Sequence, residues 1–440
     1  MRNFEGTGLG SLTCSDYKGK IRFMQKDDVL RLLRDPNLIP SEKLTLLSNI
    51  ADLAASLNMP CYVVGGFVRD LLLGKPVNDL DVIVEGDAIK LGKNLVEVYG
   101  GKLTPHFKFN TAIWHLPDST DFVDLITARK ETYEKPGALP TVTPSSMEDD
   151  LRRRDFTINA MALRLDGESF GEILDPMDGQ TDLERGVIRV LHPRSFMDDP
   201  TRIFRAIRYE GRYGFAMDAE TLSAITPEAL KILHSLSGER IRHEVDLILD
   251  ENQAIRMILR VANLGVLQAI HSKMPEFNPE YEDFLEMDVR LDIPADRRTM
   301  GYMLWFMDLS EEEVILLSNR LDFTNELTLA VWAAAQLKRG LPHLVDMRPS
   351  EWTYALEKLP LISIYAVYLV ARENSLLSYI SIWRHVKAHT TGKDLKALGL
   401  PPGPRFAEIL HQLRAGWLDG VLSSKEDEEE LLRLLLAADL

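Results

Sequence analysis

The stretch GGFVRDLLLGKPVNDLDVIVEGD, Gly65 to Asp87, sets two glycines and an Arg-Asp pair ahead of two carboxylates, Asp79 and Asp81, that straddle one leucine. The apolar run CYVV leads into the glycines and VRDLLLG after them carries helical spacing, so the segment reads as strand, turn, helix, strand. In VNDLDVIV, Leu80, Val82 and Val84 alternate with Asp79, Asp81 and Ile83. A strand there puts both carboxylates on one face, ~7 Å apart at the Cα atoms. Two such charges repel unless water, arginines or a divalent metal neutralises them. Magnesium prefers hard oxygen ligands and commonly links carboxylates to substrate phosphates, which makes the pair a candidate phosphoryl-transfer metal site. For D-x-D taken alone, a solvated strand edge kept soluble by charge is the alternative.

The glycines add a second signal. A strand, turn and helix at Gly65-Gly66 would present backbone N–H groups to an anion, and Arg69 in the helix's first turn could hold a phosphate oxygen. Gly-Gly is neither G-x-G-x-x-G nor a Walker loop, and a tight turn needing glycine φ angles explains the dipeptide equally well. A third acid, Asp124 in TDFVDLITAR, falls on a later strand and could complete a metal cluster; Asp121 competes with it.

Outward from this core, CYVVGG, LDVIV, TAIWHL and DFVDLI are short and β-branched, and predict a small mixed sheet between about residues 60 and 127. The segment SEKLTLLSNIADLAASLN before it reads as a helix behind a Ser cap. From Asp150 onward helical patterns dominate, with joints at EFNPEYED, LDIPADRR, GLPHLVDMRPSE and GLPPGPR. The expected class is α+β: a small sheet-bearing head followed by a long all-helical remainder.

Composition narrows the function. The 440 residues and 45% hydrophobic content are ample for two or more packed domains. Cys14 and Cys61 have no metal-ligand spacing, and no run is apolar enough to span a bilayer, so a reducing cytoplasm is expected. A net charge of −16 disfavours non-specific nucleic-acid binding and leaves local basic patches as the only candidates.

Two patches stand out. EDDLRRRDFTINAMAL places Arg152, Arg153 and Arg154 before what reads as an apolar helix, a candidate triphosphate or ribose clamp. FMDDPTRIFRAIRYEGRYGF places Arg202, Arg205 and Arg208 at i, i+3 and i+6, with Pro200 in the first turn and Asp198 or Asp199 as a cap. A carboxylate only accepts hydrogen bonds and a guanidinium only donates. Asp199 with Arg202 therefore matches an exocyclic amine beside an unprotonated ring nitrogen, the pattern of cytosine and adenine. Uracil and guanine present the reverse, and would leave polar groups unpaired at about 1–3 kcal/mol each.

Together these motifs resemble the class II tRNA nucleotidyltransferases, the CCA-adding enzymes, and the related bacterial poly(A) polymerases. GGFVRD with NDLDVIV looks like the catalytic motif of that family, and RRDFTINAMA like its ribose-contacting motif. DPMDGQTDLERGVIRV looks like its hinge, DDPTRIFRAIRY like its base-selecting motif, and GERIRHEVDLIL like the helix supporting that motif.

The resemblance implies a nucleotidyltransferase-type mixed-sheet head (46–175) after a helical extension (1–45). A helical neck with the base-selecting site (176–270) and a helical body and tail (271–440) would follow. It implies Asp79 and Asp81 as catalytic magnesium ligands, with Gly66, Arg69, Arg154, Asp199, Arg202, Arg205 and Arg208 binding nucleotide. The implied partners are ATP, CTP and a tRNA 3′ end, with no DNA and no membrane. In this family Glu commonly precedes the Asp of the base-selecting motif, where this chain has Asp198, so no base contact is carried to that residue. The linker ARKETYEKPGALPTVTPSS lies where the family keeps a loop influencing the change from C to A. The tail segment HTTGKDLKALGLPPGPRFAEILHQLRAGWLDG is similar to the part that holds tRNA. CC-only addition, A-only addition and poly(A) synthesis are the neighbouring activities; an acidic C-terminal helix in place of a basic one argues against the last. A catalytically silent RNA-binding scaffold is the alternative from another class.

Overall fold

A computed structural model describes residues 24–77, 80–138, 140–281, 284, 293 and 296–437. Two compact units divide the chain between residues 236 and 237. The partition expected at residues 45, 175 and 270 is a proposal, and its 176–270 segment spans the boundary between the two units.

The first unit opens with α1 (Lys26–Leu33) and α2 (Ser41–Ser56), the latter starting behind Pro40 with no side-chain cap. β1 (Cys61–Val64) follows, buried at all four positions, and then α3 (Gly66–Leu72) and β2 (Asp81–Val84). α4 (Ala88–Tyr99), capped by the Asp87 carboxylate, leads to β3 (Lys102–His106), β4 (Thr111–His115) and β5 (Phe122–Thr127). A separate hairpin of β6 (Arg129–Thr132) and β7 (Thr141–Pro144) precedes α5 (Met147–Arg152). β8 (Ala162–Arg164) and β9 (Ile173–Leu174) then return to the main sheet.

That sheet runs β3-β4-β5-β2-β1-β8-β9, and β2 with β5 is its parallel pair. The expected mixed sheet is therefore present, but it extends past residue 127 through β8 and β9. The apolar helix expected after the three arginines is absent. α5 ends at Arg152, residues 157–159 form a single 3-10 turn, and Ala162–Arg164 pairs with β1. An apolar run of this length suits a buried strand as well as a helix, and the open edge of β1 decides between them.

One sheet face packs on α4, so closely that a Cβ at Gly92 would lie 2.5 Å from Leu103. The other carries the core of Tyr62, Val64, Ile83, Met147, Leu151 and Ala162. Because side chains alternate along a strand, Asp81 shares the second face with Ile83 and sits where that core ends.

The unit continues with α6 (Gly179–Arg185), β10 (Val187–Ile188), α7 (Ser195–Asp198), α8 (Arg202–Tyr213), β11 (Ala216–Met217), α9 (Ala219–Ser223) and α10 (Pro227–His234). Gly179 is required by packing, since a Cβ there would lie 2.3 Å from the Thr157 carbonyl oxygen. This ties the 175–180 turn to the 157–159 turn, reinforced by the Thr157 hydroxyl donating to Asp182 at 2.7 Å.

The described part of the second unit is helical: α11 (Gly238–Leu249), α12 (Ala254–Asn263), α13 (Val266–Ile270), α14 (Arg297–Phe306), α15 (Glu311–Arg320) and α16 (Asn325–Gly340). Then come α17 (Pro349–Leu356), α18 (Leu361–Ala371), α19 (Asn374–Ser381), α20 (Gly392–Ala397), α21 (Pro404–Leu418) and α22 (Lys425–Ala437). Tyr302, Trp305, Phe306 and Phe323 form its aromatic centre. At the C-terminal end the buried Glu428 carboxylate accepts from the His389 and Thr390 backbone N–H groups, the Thr390 hydroxyl and the Trp417 indole.

Candidate active site

Asp81 begins β2 and is in register with Asp124 on β5, and parallel partners point to the same side of a sheet. Both line a cleft of about 400 Å³ that Asp121, Lys43 and Phe122 also border. Asp79 lies outside the described residues. Asp81 with Asp124 as its strand neighbour is thus an acidic pair, with Asp121 in the loop before β5 along the same cleft; among the described residues no three such side chains are grouped to hold a metal. Lys43, from α2, is a cleft residue that sequence reading did not find; a lone lysine in a helix carries no signal of it.

The antiparallel register pairs Val63 with Val82, so its next step sets Val64 opposite Asp81 and the Gly65 turn at the head of β2. Gly65 has φ +60° and ψ −116°, open to glycine and strained for other residues. It is also the resting place of a side chain: a Cβ on Gly65 would lie 2.7 Å from Arg154 Nη1. Gly66 faces Arg69 in the same way, at 3.5 Å from Nη2.

Arg154 is held by Asp150, a fully buried carboxylate, through Nη2 to Oδ2 at 3.1 Å. The same carboxylate accepts from Arg153 Nη2 at 2.7 Å and from the Arg129 backbone N–H. Arg153 also donates to Glu131 at 2.8 Å, whereas Arg152 reaches an exposed partner, Glu148. Of the three adjacent arginines two share Asp150, and only Arg154 lies over the glycine turn.

Arg69 is buried. Its Nε and Nη2 donate to the two oxygens of Asp70 at 3.0 and 2.9 Å, and its Nη1 donates to Asn159 Oδ1 at 2.6 Å. The guanidinium also sits over the rings of Tyr213 (4.8 Å) and Tyr209 (5.2 Å). Tyr213 in turn donates to Asp70 at 3.0 Å. Burial works against the charge of Arg69, but Tyr213 and Asp70 outweigh it and raise its pKa. The two tyrosines are i and i+4 on α8, a spacing visible in RYEGRY, though its target was not.

Asn159 passes the network on. Its amide donates to Asp155 Oδ1 at 3.0 Å, and Asp155 Oδ2 accepts from Arg205 Nε at 2.8 Å. Burial alone would raise the Asp155 pKa; Arg205 and Asn159 overcome it and bring the carboxyl down to about 2. One chain of bonds, Arg69 to Asn159 to Asp155 to Arg205, thus joins α3, the 157–159 turn and α8. Arg208 is buried, with its guanidinium 6.0 Å from the Tyr209 ring centre.

Arg202, at the start of α8, donates to Ser195 Oγ at 2.6 Å and to the Arg153 carbonyl at 2.9 Å. Asp199 Oδ1 accepts from the Thr201 backbone N–H (3.1 Å) and hydroxyl (2.7 Å) in the turn before α8; the N-cap is Thr201 with no side-chain bond, so neither Asp198 nor Asp199 caps the helix as the sequence suggested. Arg202 borders a second cleft, of about 260 Å³, with Arg153, Tyr133, His192 and Asp198.

Residues 61–189 match the profile of the Poly A polymerase head domain, and residues 214–280 that of the probable RNA and SrmB-binding site of polymerase A. An A-adding tRNA nucleotidyltransferase of Halalkalibacterium halodurans is 32% identical over 425 residues, covering 92% of this chain and 95% of that protein. The chain belongs to the tRNA nucleotidyltransferase family. An A-adding tRNA nucleotidyltransferase of Geobacter sulfurreducens is 35% identical over 413 residues; the match takes in 89% of this chain and 47% of that longer protein. Among solved structures, an apo CCA-adding enzyme superposes with a TM-score of 0.78 at 30% identity, over 93% of this chain and 98% of that one. A CCA-adding enzyme in complex with ATP gives 0.76 at 29% identity, over 95% of this chain and 99% of that one. Among the described residues no helix is long and apolar enough to cross a membrane.

Proposed function

We propose that this nucleotidyltransferase extends the 3′ end of tRNA without a template, with terminal A addition from ATP as its principal reaction and C addition from CTP as the second reading. The observation that carries it is the register of Asp81 with Asp124 beside the Gly65 turn and its overlying Arg154. The two relatives named above are both A-adding enzymes, which supports A. C is favoured by the base pattern itself, which cytosine shares with adenine.

In the proposed reaction the RNA 3′-oxygen attacks the α-phosphorus, a new P–O bond forms, and the bond to the pyrophosphate oxygen breaks. Asp79, Asp81 and Asp124 are the assigned metal ligands. Carboxylates on adjacent strands offer the hard oxygens a magnesium ion takes, and bound magnesium would supply charge neutralisation at the phosphates. Arg154 and the Gly65-Gly66 turn hold the triphosphate. Arg69 and Arg205, tied to each other through Asn159 and Asp155, fix α3 against α8 so that this grip is preorganised. Arg208 lies along the same helix, and the base is read beside Arg202 and its two preceding acids. The cytoplasm is the compartment this reading assigns.

The test is incubation with tRNAs ending before CCA, after C and after CC, each with one labelled nucleotide. A-only activity extends only the CC-ending tRNA, with ATP; full CCA activity extends all three. Extension of unrelated RNA to long A tracts would reject the tRNA reading in favour of a poly(A) polymerase. Asp81→Ala should lose all incorporation with its circular dichroism and melting unchanged, and chelation followed by magnesium should abolish and restore it. Near-normal turnover in that variant rejects the metal assignment.

A further inference from the structure

Strand order gives the acid pair two sides. The Gly65 turn, with Arg154 over it, follows β1; Asp81 lies on β2 and Asp124 on β5, and beyond β5 come β4 and β3. The packed core on this face reaches Ile83 and Ile126. Past it, the antiparallel register sets Phe122 on β5, Ile113 and His115 on β4, and Thr104 and Lys102 on β3 along the face that Asp124 shares. This stretch is open. Lys102 is exposed and Thr104, Ile113 and His115 are half-buried, whereas the alternate residues Ala112, Trp114 and Val123 are buried on the side of α4.

Phe122 is 52% exposed, a large apolar side chain left in solvent on the main sheet. Its ring leans on His115, with centroids 6.3 Å apart, and His115 Nε2 is 3.4 Å from the Thr104 hydroxyl, so the ring is backed from the β4 side. It borders the cleft of about 400 Å³ together with Asp81 and Asp124.

We infer that Phe122 is the platform on which the 3′-terminal base of the RNA stacks, so that the attacking oxygen reaches the acid pair from the β5 side. The inference rests on the nucleotidyltransferase reading above. In-line displacement sets the attacking and leaving oxygens on opposite sides of the phosphorus. A triphosphate held at the Gly65 turn occupies the β1 side and leaves the β5 side to the RNA. Phe122 is two residues from Asp124, about 7 Å along the strand, a separation that the ribose of one nucleotide spans. Stacking on an aromatic face is indifferent to the identity of the base, so this contact positions the RNA end and leaves the choice of incoming nucleotide to other groups. Lys102, farther out on the same face, supplies positive charge for the phosphates of the preceding nucleotides.

Initial rates with the full chain test this, with a CC-ending tRNA and labelled ATP varied in turn. Phe122→Ala should raise the KM for tRNA about fivefold to a hundredfold and leave the KM for ATP within about twofold. Phe122→Tyr and Phe122→Trp should keep the unaltered values, whereas Phe122→Leu, apolar but without an aromatic face, should behave as the Ala variant does. Melting should be unchanged in all four, because the ring is exposed. A second tRNA, lacking only its 3′-terminal base, identifies the stacking partner. In fluorescence anisotropy without ATP the unaltered chain should prefer the base-bearing end by a similar factor, and Phe122→Ala should show no preference. An Ala variant that keeps its KM for tRNA, or an unaltered chain indifferent to the terminal base, overturns the assignment. If the unaltered chain extends no tRNA, the proposed reaction fails, while the anisotropy ratio still decides whether Phe122 holds the RNA end.

Discussion

Replacing Asp155 by Asn keeps the shape of a buried side chain and removes its charge. The carboxyl is held at about 2 against an ordinary value of 3.8, because Arg205 and the Asn159 amide stabilise the anion by more than burial penalises it. A depression of nearly two units corresponds to about 2 kcal/mol of folding stability at pH 7, since one unit is about 1.4 kcal/mol. The sign follows from the depressed folded-state value. The contribution is complete above the unfolded value of 3.8 and is lost as pH falls through 3.8 toward 2. At pH 3 about 1 kcal/mol should remain. Asn mimics the protonated acid, so urea titrations of both proteins at pH 7, 5, 4 and 3 should show the variant less stable by about 2 kcal/mol at pH 7, with the gap about halved at pH 3. A gap that is constant with pH, or that widens in acid, would refute the assignment of Asp155 as the anionic link between Asn159 and Arg205. Because the same link orients Arg69, the variant should also raise the KM for ATP at pH 7.

Gly65→Ala forces an L residue into φ +60°, ψ −116° and pushes the Arg154 guanidinium off the turn. A stability loss of about 1–3 kcal/mol is expected, read as a lower melting temperature, with weaker ATP binding. Tyr213→Phe removes one hydrogen bond to Asp70 and loosens Arg69, for about 1 kcal/mol in chemical denaturation and a few-fold rise in KM. Glu428→Ala leaves the His389, Thr390 and Trp417 donors without their acceptor. The C-terminal helices should lose about 3 kcal/mol, visible as faster amide exchange at residues 389–391 while exchange in the head strands is unchanged.

The head's candidate site elements were legible because their signals are local. Gly65 at a strand end, the alternation after Leu80 and the apolar stripe through Ile203, Phe204 and Ile207 each follow from the period of one strand or helix. The third acid was legible only as a choice between Asp121 and Asp124. β5 pairs with β2 across some forty residues of chain, so it is the register that sets Asp124 beside Asp81. NAMALR could not be told from a buried helix, because an apolar run buried on all sides carries no periodicity; the free edge of β1 made it a strand.

The same division runs through the side chains. Residue types alone pointed the acids and arginines toward phosphate and base chemistry, since charge and donor count are properties of the residue itself. Which arginine went where was decided by tertiary structure. Asp150 and Asp155 are buried and Glu131 and Asp70 half-buried, and each draws an arginine its fixed position can reach, which is how Arg154 comes to lie on Gly65 while Arg153, Arg205 and Arg69 brace the frame. Burying a charge is tolerable only beside a partner, and the partner is chosen by distance in space rather than along the chain.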